Sequence, residues 1–292
     1  MKLLVITQAV DQNDSDLGFF CRWLTEFARH AERVEVLTLR EGTHSLPQNV
    51  VVHQLGKGKI RRALQVIRFA WVLKYDAVFV HMNPEYLVVA GWLWRVLGKK
   101  TALWYTHKSV DLKLRIAVLF ASIIFTASKE SFRLRSKKVR VMGHGIDTDF
   151  FTPDQNVARG SHILSVGRLM QSKRHDLAIE AAAREGREVR IAGEGPLRKE
   201  LESLAHAKEV TARFLGGINQ EKLRDEYRKA AYLIHTSETG SLDKVVLEAL
   251  ACGCPVRTSD PALKHLESAG PEYVREHHSL ERLISRIVKE LA

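Results

Sequence analysis

The sequence predicts an α/β protein made of two doubly wound parallel sheets. Three observations predict it. Short apolar, β-branched runs alternate with helix-length amphipathic stretches along the chain, and that alternation calls for crossover helices on both faces of a parallel sheet. The pattern pauses once, over residues 143–158, where Gly143, Gly145, Asp147, Asp149 and Pro153 supply turn and linker chemistry. The chain has 292 residues, 45% hydrophobic and 27% charged, which suits two ordinary globular domains and excludes a disordered chain, a collagen-like chain or a small disulfide scaffold.

The boundary is placed so that the domains are 1–152 and 153–292, with the final helix a candidate to pack back on the first. The strands expected in the first domain are Leu3–Thr7, Val34–Leu39, Val50–Gln54, Ala77–His81, Thr101–Thr106, Ile123–Thr126 and Val139–Met142. Helices between them fall near 18–30, 59–74, 85–97, 111–121 and 129–135. In the second domain the strands are Ile163–Val166, Val189–Ala192, Thr211–Leu215, Tyr232–His235 and Pro255–Thr258. Its helices fall near 173–185, 196–207, 219–230, 241–251 and 279–291. Two such domains facing one another would take a ligand in the cleft, beyond the carboxyl ends of the strands.

The net charge of +11 is uneven. Residues 1–153 hold 23 Lys and Arg against 13 Asp and Glu, whereas residues 154–292 hold 22 against 21. A one-sided basic half points to an anionic partner: membrane headgroups, a phosphorylated substrate or nucleic acid. Plain solubility is the competing explanation. Nucleic acid is the weakest of these readings, because no readout motif or interleaved aromatic platform accompanies the charge. The stretch Lys57–Tyr75 mixes Lys57, Lys59, Arg61, Arg62, Arg68 and Lys74 with Ile60, Leu64, Ile67, Trp71 and Val72. It reads either as a helix lying on an anionic membrane surface or as an ordinary crossover helix with solvated charges. Trp92 and Trp94 read as core or interface residues.

No apolar run is long enough to span a bilayer, and the longest candidate, Tyr86 to Leu97, is broken by Arg95. Strand-like Leu3–Ile6 follows a single Lys with no cleavage signal, so no leader is expected. Cys21, Cys252 and Cys254 make neither a disulfide framework nor a metal pair, which suits a reducing cytoplasm.

The strongest local signal is Ser165-Val166-Gly167-Arg168-Leu169-Met170-Gln171-Ser172-Lys173-Arg174. A strand ends at Val166 and a helix is expected to open near Lys173. Gly167 with two cations, Arg168 and Lys173, at the carboxyl end of a strand makes a pyrophosphate clamp physically natural, aided by the helix N-terminus. The second signal runs from Thr239 to Val256. Ser241 suits an N-cap and Asp243 the first turn, so the amides of Gly240, Ser241, Leu242 and Asp243 would face an anion. Glu248 follows Lys244 by one helical turn. It reads either as a ribose-binding carboxylate or as an exposed Lys–Glu pair.

In series these stretches resemble the retaining glycosyltransferases of the GT-B fold, family 4. The resemblance is carried by Gly167-Arg168-Leu169, Lys173 to Ala181, Ile191-Ala192-Gly193-Glu194-Gly195-Pro196-Leu197, Phe214-Leu215-Gly216, Glu248 to Val256, and the linker Gly143-His144-Gly145-Ile146-Asp147-Thr148-Asp149-Phe150-Phe151. It implies a GT-B enzyme of two Rossmann-like domains, the first for the acceptor and the second for the nucleotide sugar. It implies transfer of a sugar from a UDP- or GDP-linked donor to a hydroxyl acceptor, with a lipid-linked or cell-envelope glycan as one candidate. No cofactor or metal is expected; Asp147 and Asp149 belong to the linker signature. The expected location is cytoplasmic, with peripheral attachment to the inner membrane face a further candidate.

The resemblance also implies roles. Arg168 and Lys173 would bind the diphosphate and Glu248 the ribose, while Gly167, Gly240, Ser241, Leu242, Asp243 and Lys244 would line the donor. Gly18 stands where the family has a glycine-rich loop, His107 matches a histidine facing the transferred sugar, and Ser128 matches a serine opening the next helix. One departure stands out. The family pairs Glu248 with a second Glu eight positions earlier, where this sequence has Gly240. That leaves a second reading open: a nucleotide-sugar-binding protein of weak catalytic power.

Overall fold

Strand β1 (Lys2–Val10) feeds two hydrophobic cores at once. Its side chains alternate with the period of two that a strand imposes: Leu3 and Val5 enter one core, Leu4 and Ile6 the other, and all four are fully buried. Such a strand has to lie in the middle of a sheet covered on both faces. The computed structural model, which describes residues 1–14, 16–237 and 242–292, places it there.

After β1 the chain continues through α1 (Phe19–His30), β2 (Arg33–Glu41), β3 (Val50–Gln54), α2 (Lys59–Val72), β4 (Ala77–His81), α3 (Glu85–Val96), β5 (Lys100–Trp104), α4 (Leu112–Phe120), β6 (Ile123–Thr126) and β7 (Val139–Val141). The strands form a seven-stranded sheet in the order β3-β2-β1-β4-β5-β6-β7, with every pairing parallel. Next come β8 (Ile163–Val166), α5 (His175–Glu185), β9 (Val189–Ala192), α6 (Arg198–Ala207), β10 (Ala212–Gly216), α7 (Gln220–Lys229), β11 (Tyr232–His235), α8 (Lys244–Ala251), β12 (Val256–Thr258), α9 (Pro271–His278) and α10 (Leu280–Leu291). These five strands make a second parallel sheet in the order β10-β9-β8-β11-β12.

The chain divides into two units. Met1–Gly145 with Leu280–Ala292 forms the first, and Ile146–Ser279 the second. In the first unit α1 and α10 cover one face of the sheet through Phe20, Trp23, Phe27, Leu283, Ile284 and Ile287. Helices α2, α3 and α4 cover the other through Val66, Ala70, Leu87, Leu93, Leu114 and Ala117. The second unit repeats the plan, with Ala178, Ile179 and Leu201 of α5 and α6 on one face. Tyr227, Val246, Leu247 and Val274 of α7, α8 and α9 lie on the other.

The boundary drawn from the sequence after residue 152 lies inside the second unit. The linker folds onto that unit early: Ile146 pairs with Ser279, and Phe151 packs edge-on to Tyr227 in its core. Asp147 caps the turn, its Oδ1 accepting from the Asp149 and Phe150 amides at 3.2 and 3.1 Å.

Several elements differ from the sequence reading. Residues 129–135 form no helix; Ser131 N–H closes a turn on Ser128 O at 3.2 Å. So short a segment gains too few internal hydrogen bonds to offset nucleation. Ser128 therefore opens a turn instead of a helix. The helix expected from Lys173 is interrupted, because Arg174 adopts a left-handed φ of 48° between a 3-10 turn, Gln171–Lys173, and α5. Helix α8 begins at Lys244 with Asp243 at its N-cap, three residues later than the start read from the sequence, and Ser241 lies outside the described residues. Helix α9 was not foreseen; there Tyr273 packs its ring 4.8 Å from His277.

Candidate functional site

In the second unit the strand order reverses at β8 and β11, two strands that pair with each other. Doubly wound sheets open a crevice at that reversal, just past the carboxyl ends of the strands. Both strands deliver chemistry to it.

β8 runs out into Gly167, whose φ of 150° is one that side chains rarely tolerate. The turn after β9 presses against it: a Cβ on Gly193 would stand 1.9 Å from Gly167 O, and one on Gly195 2.4 Å from Leu169 O. The two turns approach this closely only as glycines. Arg168 follows Gly167 and is exposed. Its carbonyl lies 3.3 Å from His175 Nε2, while His175 Nδ1 lies 2.8 Å from Ser165 Oγ. A carbonyl only accepts, so Nε2 carries the proton and Nδ1 accepts from the serine. Burial pushes the His175 pKa below the ordinary histidine value, against the backbone hydrogen bonds to Arg168 and Gly167. A neutral histidine thus pins the backbone that presents Arg168.

Lys173 reaches the same region from the end of the 3-10 turn. Its Nζ lies 2.6 Å from Asp243 Oδ2. His235, the last residue of β11, brings Nε2 to 2.9 Å from that same oxygen and Nδ1 to 3.0 Å from Thr258 Oγ1 on β12. Thr236 donates its hydroxyl to Lys173 O at 2.9 Å. Burial alone would raise the Asp243 pKa, but the His235 hydrogen bond and the Lys173 charge outweigh it and bring it to about 2. A carboxylate committed to two side chains leaves the side-chain cap unmade: Val246 N–H in the first turn of α8 bonds the Asp243 backbone carbonyl at 3.2 Å, and the carboxylate takes no capping hydrogen bond.

Glu248 is 3% exposed, so the reading of an exposed Lys–Glu pair is wrong. Its Oε1 lies 3.3 Å from Lys244 Nζ, and its Oε2 accepts from Tyr227 OH at 3.3 Å. Burial, with the Glu248 charge behind it, raises the Tyr227 pKa well above the usual tyrosine value and keeps the phenol a donor. Leu242 is half-buried. Gly240 and Ser241, with Glu238, lie outside the described residues.

In the first unit the order reverses at β1 and β4. Gly18 precedes α1, and a Cβ there would meet Asp14 O at 2.6 Å and Gln12 O at 2.9 Å, so close backbone approach requires glycine. His81 ends β4, stacks on Phe20 at 4.2 Å and meets Thr7 Oγ1 at 3.3 Å. Gln8 donates to Asn83 at 2.8 Å. His107 is exposed beyond β5, and its Nδ1 accepts from the Ser109 amide at 3.1 Å, which leaves the Nε2 proton facing outward in the neutral ring. Among the described residues no group of three or more His, Cys, Asp or Glu side chains is arranged to hold a metal ion.

The structure therefore brings Gly167, Arg168, Lys173 and Asp243 to one strand-end locus, with Lys244 next to Asp243 and Glu248 one turn further along α8. His175, Ser165, His235 and Thr258 were not anticipated. His235 carried one usable signal, its position as the last residue of a strand.

Residues 151–281 match the family model described as glycosyl transferases group 1. This matched segment contains the whole Arg168–Lys173–Asp243–Glu248 locus. The chain is 28% identical, over 68% of its length, to the N-acetylgalactosamine-N,N'-diacetylbacillosaminyl-diphospho-undecaprenol 4-alpha-N-acetylgalactosaminyltransferase of Campylobacter jejuni, and covers 61% of that protein. It is 33% identical over 41% of its length to a D-inositol 3-phosphate glycosyltransferase of Geodermatophilus obscurus, of which it covers 32%. The chain thus spans less than two thirds of the length of these curated relatives. Among solved structures, Anabaena HepE in complex with UDP and glucose superposes with a TM-score of 0.76 at 17% identity, over 100% of this chain and 99% of that one. AviGT4, a glycosyltransferase involved in avilamycin A biosynthesis, gives 0.70 at 16% identity, over 99% and 96%. The fold class is GT-B: two parallel-sheet α/β domains of seven and five strands.

Proposed function

We propose that this chain is a retaining, metal-independent family 4 glycosyltransferase that moves a sugar from a UDP- or GDP-sugar to a hydroxyl acceptor. The observation that carries the proposal is the meeting of the glycine-tight Gly167–Arg168 turn with Lys173 at the strand reversal of the second unit. Breaking the anomeric bond puts negative charge on the departing phosphate oxygen. Fixed cations aimed there stabilise it without reorganising. His175 holds the backbone that presents Arg168, and Asp243 holds the Lys173 ammonium in place before the donor arrives. His107, positioning the transferred sugar, and Glu248, holding the ribose, belong to the same proposal. The undecaprenol-linked substrate in the name of the C. jejuni relative supports a lipid-linked acceptor.

The test is calorimetry with UDP and GDP. Arg168→Ala and Lys173→Ala each weaken nucleotide binding by about 1.5–3 kcal/mol, the scale of a hydrogen bond to a charged group. Unchanged affinity in both variants rejects the site. Gly240, standing where the family has a Glu, favours a second reading: nucleotide-sugar binding with little turnover. Tight binding without glycoside product or donor hydrolysis across common donors selects it.

A further inference from the structure

The first unit carries an unusual outer layer. Helices α2, α3 and α4 lie side by side on one face of the seven-stranded sheet. Their inner faces fill the core, so the crossover-helix reading of residues 57–75 holds for that side. Their outer faces are not polar. Of the ten large apolar side chains exposed among the described residues, eight sit on these three helices. On α2 they are Ile60, Leu64, Trp71 and Val72, a stripe at helical spacing, with Trp71 69% exposed. α3 adds Trp92 and Val96 one turn apart, and α4 adds Leu112 and Leu119 two turns apart.

The charges interleaved with them have one sign. Lys59, Arg61 and Arg68 on α2, Arg95 on α3, and Lys113 and Arg115 on α4 are all exposed. The one exposed acid within these helices is Glu85, 3.9 Å from Lys113. Helix dipoles do not explain the pattern. α2 has no acid in its first turn and carries Lys59, Arg61 and Arg62 there, where the dipole disfavours cations. The first unit as a whole holds 26 Lys and Arg against 13 Asp and Glu, and the second 19 against 21.

We propose that the outer face of α2, α3 and α4 docks on an anionic lipid bilayer, with Trp71 and Trp92 inserted at the headgroup level and the surrounding cations on the lipid phosphates. Two features select this occupant. Large apolar side chains and tryptophans among cations match the interfacial layer of a membrane, where amphipathic rings settle. A second copy of the chain fits poorly, since a two-fold contact through this face would set cation against cation. Nucleic acid uses the charges but leaves Ile60, Leu64, Val96 and Leu119 without a role. The inference stands on the first unit alone and does not depend on the donor site.

The experiment is co-sedimentation of the full chain with phosphatidylcholine vesicles, with and without phosphatidylglycerol, together with tryptophan quenching by brominated acyl chains. The variants are Lys59→Glu/Arg61→Glu/Arg68→Glu and Trp71→Ser/Trp92→Ser, all at exposed positions. The native chain binds the anionic vesicles at least about tenfold more tightly than the neutral ones, and raised salt weakens the binding. Both variants lose about tenfold or more in affinity, and at lipid concentrations that saturate binding the charge variant regains the native quenching whereas the tryptophan variant does not. Equal binding to neutral vesicles overturns the proposal. So does native-like binding by both variants, or a dimer in sedimentation analysis that the same substitutions dissolve.

Discussion

At the scale of single residues, Asp243 holds the site together. It ties Lys173 from the turn after β8 to His235 at the end of β11, and gives up its capping bond to do so. The sequence made Arg168 and Lys173 legible, because cations next to a strand-end glycine are a local pattern. It could not show that Lys173 spends its charge on a carboxylate 70 positions away, since that contact exists only once the strands have aligned. The tie has a pH signature. The Asp243 pKa is about 2 against an ordinary 3.8, so the unfolded chain takes up this proton first. The stabilisation is complete above about pH 4 and is lost as pH falls from there through 2, amounting to about 2 kcal/mol at neutrality. Asp243→Asn lowers the unfolding free energy by about that much at pH 7 in urea titrations. The gap between variant and native chain closes as pH approaches 2. A gap of constant size over that range would mean that Asp243 acts as something other than an ionised partner.

At the scale of elements, every strand was legible in the sequence, because buried parallel strands are written as short apolar runs that few other structures use. Helices were legible where an apolar stripe was long, and misread where it was short. Residues 129–135 looked helical from composition yet form a turn. α9, whose one fully buried residue is Val274, has no apolar stripe to announce it. The ends of helices are set by side chains that arrive from elsewhere in the chain. Lys138, next to β7, donates to the carbonyls of Val118, Leu119 and Ala121 at 2.8, 3.3 and 2.7 Å, where α4 stops. Burial, with the Arg95 charge behind it, lowers its pKa below the usual lysine value. A cation there satisfies the last carbonyls and opposes the helix dipole. Lys138→Met costs about 1–2 kcal/mol of stability in urea titrations with an unchanged denaturant slope. A loss within experimental error would show that solvent satisfies these carbonyls equally well.

At the scale of the whole molecule, the chain closes one unit with residues from its far end. α10 supplies Leu280, Leu283, Ile284, Ile287 and Leu291 to the core that α1 shares, and Gly145 is pressed by Leu283 and Leu280 so closely that a Cβ would stand 2.7 Å from the first. Strand order and this closure are properties of tertiary packing, so sequence reading could offer them only as expectations of the fold class. The uneven charge, by contrast, was plain in composition, because it needs no partner to be counted. The two cores of each unit share no residues with those of the other, so damage to α10 should remain in the first unit. Ile287 is fully buried, and Ile287→Ala removes methylene groups from a filled site, costing about 2–5 kcal/mol. Hydrogen exchange followed by mass spectrometry reads where that cost falls. Protection should drop in β1, β2 and α1, while β8, β9 and α5 keep theirs, because each cooperative unit opens with its own free energy. Equal loss of protection across residues 146–279 would show that the two units unfold as one body, and that α10 stabilises the chain as a whole.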